Sequence, residues 1–188
     1  MSKSRTFITY VEDRPGVLNR VVSLFRRRGY NIESLSVGRT ERPDLSRITL
    51  VVEADDDMAR RIEANLYKLV NVLYVADVTG AAAVVREMAL IKVAAHNGQR
   101  AEILTLADVF RARVVDVGPD SLSLEITGAQ DKIEGLVDVL RPFGVLEMVR
   151  TGAVAMLRCQ AGCGVPQAPD WTWPARPSPL SDEDVAAA

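Results

Sequence analysis

EDRPGVLNRVVSLFRRRGYNIESL, residues 12–35, runs from the end of a β-rich segment through a turn into an amphipathic helix and out again. Thr6–Glu12 precedes it, and the turn signal Asp13-Arg14-Pro15-Gly16 interrupts the strand. Val17, Leu18, Val21, Val22, Leu24 and Phe25 then recur at the spacing that gathers apolar side chains on one side of a helix. Pro15 suits the first helical turn, because its ring fixes φ near the helical value and its missing N–H has no partner to lose there. Arg26, Arg27 and Arg28 fill the last turn, where cations complement the helix dipole, and Gly29 ends it. A second strand is predicted over Tyr30–Val37, with its apolar phase slipping between Ile32 and Leu35.

Working outward, the residues that follow complete a unit of this kind. Ile48, Leu50 and Val52 share one face of a strand over Arg47–Glu53, joined to the previous strand through ERPDLS, residues 41–46. Asp55, Asp56 and Asp57 open a second helix, where acids favour the positive end of the dipole, and Met58, Ile62, Leu66 and Leu69 form its buried stripe. Val72–Val78 closes the unit as a fourth strand. The element order then recurs without residue identity. MALIKVAA from Met88 supplies a strand in a unit that starts near Arg86, HNGQR a turn, and Ile103, Leu106, Ala107 and Phe110 a helix stripe. Val114–Val117, Gly118-Pro119 and the alternating Ser121–Ile126 make a hairpin. Ile133, Leu136, Val137 and Leu140 mark another helix before Phe143-Gly144, and Leu146–Val149 is a strand that Val154–Leu157 extends or pairs with. The fold class is therefore α+β: two tandem ferredoxin-like βαββαβ units over residues 5–79 and 84–158, with GAAA at 80–83 as the link. Residues 159–188 are rich in proline and lack apolar periodicity, so a disordered tail is expected. Two helices cover one face of each sheet, which leaves the other face and both edges open; side-by-side pairing across a dimer axis would cover an edge.

Composition narrows the function. Hydrophobic residues make up 48% of the 188, enough for a real core, and 23 basic residues face 25 acidic ones. No broad positive surface for nucleic acid is expected from that balance. A base-stacking sheet would need Phe7 and Tyr10 together, but three residues apart they point to opposite faces of a strand. No segment approaches the roughly 20 apolar residues of a membrane span, and MSKSRTFITYV holds no signal-like apolar core. The only two cysteines, Cys159 and Cys163, lie together near the end, so no disulfide can staple either unit. A cytoplasmic protein that does not bind membranes is expected.

The turn at residues 13–18 carries the chemistry. Gly16 has no side chain, and the backbone N–H groups of Gly16, Val17 and Leu18 are placed at a helix start, where unsatisfied donors and the dipole favour a small anion such as a carboxylate. Asn31, just past Gly29, has an amide that both donates and accepts, and Ile32 offers an apolar wall. The plainer reading stands beside this one: Pro-Gly starts a helix and Asn31 caps a strand. His96, the single histidine, reads as a turn residue rather than an acid–base group. Cys159 and Cys163 have no second ligand pair for zinc. Arg26–Arg28 read as dipole partners rather than a phosphate patch, and Trp171 and Trp173 as tail residues rather than a docking segment. No phosphate loop, dinucleotide fingerprint, nucleophile elbow or HExxH motif is present.

The turn closely resembles the ligand-binding turn of ACT domains. The run RPGVLNRVVSLFRRRGYNIESLSV resembles that of the acetolactate synthase small subunits, as do DLSRITLVVE at 44–53, YKLVNVLYV at 67–75, REMALIKV at 86–93 and FRARVVDVGPDSLSLEITG at 110–128. The likeness spans residues 5–158. It implies a non-catalytic regulatory subunit that forms a homodimer through its ACT domain, binds and activates a large catalytic subunit, and confers feedback inhibition by valine. The cofactors it implies, thiamine diphosphate, magnesium and FAD, belong to that catalytic partner, with none bound by this chain. Carried over by position, Gly16, Val17 and Leu18 of one protomer would hold the valine carboxylate, and Asn31 with Ile32 of the partner would complete the pocket. Asp13 is carried over as an effector-binding residue too, where it departs from the asparagine of some members: a carboxylate would attract the ligand's ammonium but repel its carboxylate if it stood on that side. Asn19 is a secondary candidate that equally well faces solvent. His96-Asn97-Gly98-Gln99 replaces the turn in the second unit, so no second valine site is expected there. A stand-alone amino-acid sensor acting on another enzyme or on a transcription factor is the alternative.

Overall fold

The computed structural model describes residues 2–96 and 98–158. The first lobe comprises β1 (Lys3–Glu12), α1 (Val17–Arg28), β2 (Ser34–Arg39), β3 (Leu45–Ala54), α2 (Asp56–Leu66) and β4 (Val72–Asp77), with antiparallel sheet order β2-β3-β1-β4. The second comprises β5 (Ala83–Ala94), α3 (Arg100–Val109), β6 (Arg113–Val117), β7 (Ser121–Gly128), α4 (Gln130–Leu140), a 3₁₀ turn (Arg141–Phe143) and β8 (Val145–Arg150), in the order β6-β7-β5-β8. Both lobes are ferredoxin-like, as the order of periodic segments predicts. β5 starts at Ala83, so the expected link at 80–83 runs directly into the strand instead of ending before it.

Strand alternation sets the cores. Phe7 on β1 stands opposite Leu50 on β3, and neither has any exposed surface; burying a side chain of this size is worth about 1.5–3 kcal/mol. Val11, Ile48, Val52 and Val75 lie on the same face, beneath Val21 and Phe25 of α1 and Ile62 and Leu66 of α2. In the second lobe Ile91, Leu124 and Ile126 meet Ile103, Ile133 and Leu136 in the same way. Asp55 caps α2 by accepting the Met58 N–H at 2.7 Å. Arg5 is a buried cation on the core face of β1. It donates to Asp77 at 2.8 Å and to Asp56 at the start of α2.

β9 (Val154–Leu157) corrects the sequence reading. It neither extends nor pairs with β8; it pairs with Ala83–Arg86 at the beginning of β5. The resulting two-stranded ribbon lies on the helix-free face of the first sheet, where Ala155, Val85 and Leu157 pack against Ile8, Tyr10, Ala76 and Val78. Arg47 of β3 donates to the Ala155 carbonyl and lies over the Tyr10 ring, 5.6 Å from its centroid. The first sheet's open face is therefore covered from within the chain. Small residues at 153 and 155 permit the close approach, a choice of partner that local periodicity does not specify. Among the described residues no helix is long and apolar enough to cross a membrane. The expected tail, with Cys159, Cys163, Trp171 and Trp173, lies outside the described residues.

Candidate functional site

The loop from β1 to α1 differs in one respect from the predicted helix start. Pro15 precedes the helix, which begins at Val17, and Gly16 adopts the left-handed conformation with φ 84° and ψ −8°. The Val17 N–H donates to the Arg14 carbonyl at 3.3 Å. Arg14-Pro15-Gly16-Val17 is thus a type II turn, with proline and glycine at the two positions that require a fixed negative φ and a positive φ. A Cβ on Gly16 would meet nothing within 4 Å, so backbone conformation and not space demands glycine there.

This geometry sorts the three amides expected to be bare. Val17's is engaged within the turn, whereas those of Gly16 and Leu18 meet no protein acceptor among the described residues. Val17's side chain is in the core, so only its backbone faces the loop; Leu18 is 40% exposed and can serve as an apolar wall. Asn19 is exposed.

Asp13 is tied to the sheet. Its N–H donates to the Asp44 carbonyl at 2.8 Å. Its carboxylate accepts from Ser46 Oγ at 3.2 Å and pairs with Arg39 Nε at 3.2 Å. On the other flank Arg14 pairs with Glu12 at 3.3 Å, Asn71 Nδ2 donates to Glu12 at 2.6 Å, and Arg20 donates to Asn71. The turn is therefore braced from β2, β3 and the loop before β4. Nearby, the Arg42 side chain donates to the Asp44 carboxylate and holds its pKa below the ordinary value. Arg39, Ser46 and Asn71 escape sequence reasoning because their partners lie 26, 33 and 59 residues away.

Asn31 and Ile32 sit at the other end of α1. Gly29 caps the helix at φ 68°, the Tyr30 N–H returns to the Phe25 carbonyl at 3.0 Å, and the Tyr30 ring meets Phe25 edge-on at 5.8 Å. The next strand begins at Ser34, later than predicted, so Asn31 and Ile32 belong to the connection and not to β2. The αL cap and the Tyr30 contact hold the chain off the sheet for these residues. Asn31 is exposed and Ile32 packs partly onto the core. The 12 residues of α1 separate them from Gly16 by about 18 Å at 1.5 Å per residue. Within one chain the structure thus brings Asp13, Gly16, Val17 and Leu18 together and keeps Asn31 and Ile32 apart from them.

His96 is an exposed turn residue whose carbonyl accepts the Gln99 N–H at 3.0 Å. Among the described residues no group of three His, Cys, Asp or Glu side chains is placed to hold a metal ion.

Two βαββαβ lobes in tandem, the first carrying a Pro-Gly turn with exposed amides between β1 and α1, define an ACT-domain protein. Residues 7–74 match the family described as the AHAS small subunit-like ACT domain, and residues 86–159 match the one described as the small subunit of acetolactate synthase. The chain is 50% identical over 153 residues to a probable acetolactate synthase small subunit of Archaeoglobus fulgidus, covering 81% of this chain and 96% of that one. It is 47% identical over 162 residues to the acetolactate synthase small subunit of Mycobacterium bovis, covering 86% and 96%. The crystal structure of the acetolactate synthase small subunit from Thermotoga maritima superposes with a TM-score of 0.78 at 40% identity, covering 84% of this chain and 99% of that one. The chain belongs to the acetolactate synthase small-subunit family.

Proposed function

We propose that this chain is a regulatory, non-catalytic subunit that pairs with the thiamine-diphosphate-dependent large subunit of acetolactate synthase, raises its activity, and transmits feedback inhibition by valine. The observation that carries the reading is the separation of the two halves of the candidate site by the length of α1. A ligand as small as valine cannot touch Gly16 and Asn31 of the same chain. Two protomers related by a two-fold axis can present the turn of one to the Asn31–Ile32 segment of the other. β2 favours such an arrangement, since it is an edge of the first sheet and an uncovered edge invites pairing. α2 packs over the opposite edge at β4.

In this arrangement the Gly16 and Leu18 amides hold the valine carboxylate at the helix start, with Val17 shaping the turn. Leu18 and the partner protomer's Ile32 enclose the side chain, and the partner protomer's Asn31 bonds the ligand's polar groups. Asp13 keeps the turn in place through Ser46 and Arg39. An apolar wall distinguishes one methylene by only about 1–3 kcal/mol, so leucine and isoleucine bind more weakly than valine without being excluded. Valine inhibits by preferring one of two arrangements of the dimer, and only its difference in affinity between them drives the shift.

The test is calorimetric titration of the folded dimer with valine, followed by assay of acetolactate formation by the reconstituted complex with and without valine. Saturable heat together with valine-sensitive activity supports the reading. Absence of heat at millimolar valine contradicts the site, and absence of any effect on the catalytic subunit contradicts the partnership.

A further inference from the structure

The segment that joins β8 to β9 lies directly on the strand that leaves the candidate effector site. Ser34 and Ser36 alternate with Leu35, which faces Leu50 and the core, so both serines present their hydroxyls on the helix-free face of the first sheet. The Ala153 N–H donates to Ser34 Oγ at 2.8 Å, and Ser36 Oγ donates to the Thr151 carbonyl at 3.1 Å. Gly152 fits between them. It has φ 74°, and a Cβ there would stand 2.6 Å from Ser34 Oγ and 3.2 Å from Ser36 Oγ. Glycine is thus required on two counts, by backbone conformation and by space.

The other side of the same segment is fixed to the second lobe. The Met88 N–H donates to Thr151 Oγ1 at 3.1 Å, and the Thr151 N–H donates to the Met88 carbonyl at 3.0 Å. Arg150, one residue earlier, pairs with Glu87 at 2.5 Å and approaches Glu134 of α4 at 3.9 Å. Three consecutive residues therefore bridge β2 of one lobe and β5 of the other, and β2 begins two residues after Ile32.

We infer that Thr151-Gly152-Ala153, seated on Ser34 and Ser36, is the link through which occupancy of the Asn31–Ile32 half of the effector site is read by the second lobe. This rests on the effector site proposed above and assigns its route of regulation. Ligand contact at Asn31 and Ile32 sets the position of the first residues of β2. The serine hydroxyls carry that position to residues 151–153, and Thr151 passes it to β5. Coupling of this sort requires a contiguous physical connection with two arrangements, and no larger set of polar contacts joins β2 to the second lobe among the described residues.

The experiment uses the full chain with its catalytic subunit. Valine affinity of the isolated dimer is measured by calorimetry, residual activity of the complex at saturating valine by assay, and exchange of the Thr151 and Ala153 amides by hydrogen–deuterium exchange. Ser34→Ala/Ser36→Ala is the principal variant and Gly152→Ala the second; the serines are half-buried and outside the hydrophobic core, so losing two hydroxyls adds no bulk and keeps the test usable if Gly152→Ala does not fold. In the wild-type chain valine slows exchange at Ala153 by about fivefold or more. In the serine variant valine affinity stays within about threefold while saturating valine leaves most of the activity and no longer slows that exchange. Wild-type inhibition in the serine variant overturns the link, as does loss of valine binding in it, which would put the serines in the site itself. A wild-type dimer that binds no valine overturns the effector site instead.

Discussion

Gly16 and Asn31 stand at opposite ends of α1, separated by the 12 residues of that helix and so by about 18 Å. Gly16 is fixed by a type II turn and Asn31 by an αL cap, and each fixture belongs to its own end of the helix. Neither can approach the other without unwinding a helix whose Val21, Leu24 and Phe25 are buried. A ligand the size of an amino acid therefore cannot touch both residues of one chain.

Asp13 braces the turn through Ser46 and Arg39, so Asp13→Asn is expected to be mild. An asparagine keeps an oxygen for the Ser46 hydroxyl and loses the pair with Arg39, whose side chain is 81% exposed; exposed pairs contribute about 0–1 kcal/mol. Valine affinity measured by calorimetry should change less than threefold, or about 0.6 kcal/mol. A loss of tenfold or more would put the Asp13 carboxylate on the ligand's ammonium.

Asp77 is the better-buried partner of Arg5. Asp77→Ala leaves a buried guanidinium with only the exposed Asp56 and removes the acceptor of the Thr79 N–H and hydroxyl, and together these losses are expected to destabilise the chain by about 2 kcal/mol or more. Urea unfolding measures it. A change under 0.5 kcal/mol would mean, on the scale of exposed pairs, that water reaches Arg5 freely.

The α2 cap provides a control that separates folding from sensing. Asp55→Ala removes the acceptor of the Met58 N–H and should cost about 1 kcal/mol of stability, read as a lower denaturation midpoint. Valine binding to the folded dimer should be unchanged, because Asp55 belongs to the loop between β3 and α2 and not to the turn or to the Asn31 segment. A change in valine affinity would show that α2 is coupled to the site.

What the sequence made legible follows from the range of each signal. The alternation at Ser121–Ile126 and the helical spacing of Val17, Val21, Leu24 and Phe25 are local, and the elements formed where they predict. Pro15 reads as a first-turn residue from its φ alone, but a type II turn accepts the same φ, and the positive φ of Gly16 places it there, ahead of the helix. The delayed start of β2 hides in the Gly29 cap and the Phe25–Tyr30 contact. The pairing of β9 with β5 was not legible, since Val154–Leu157 carries the same alternation whichever strand receives it. Nor was the burial of Arg5, whose partners lie 51 and 72 residues along the chain. The candidate turn was readable as a carboxylate cradle. The resemblance assigns Asn31 and Ile32 to a partner chain, and the 12 residues of α1 supply the physical reason that one chain cannot present both halves to one small ligand.

Mixed dimers test the shared site most directly. Gly16→Asp places a carboxylate against that of the ligand, and Asn31→Ala removes the facing amide; homodimers of either variant should show no valine heat. A purified mixed dimer, one chain carrying Gly16→Asp and its partner Asn31→Ala, concentrates both lesions in one site and leaves the other intact. Calorimetry should then find one valine per mixed dimer, at an affinity within about threefold of wild type. No valine bound by the mixed dimer, with both homodimers also silent and all three folded, would contradict a site built across two chains.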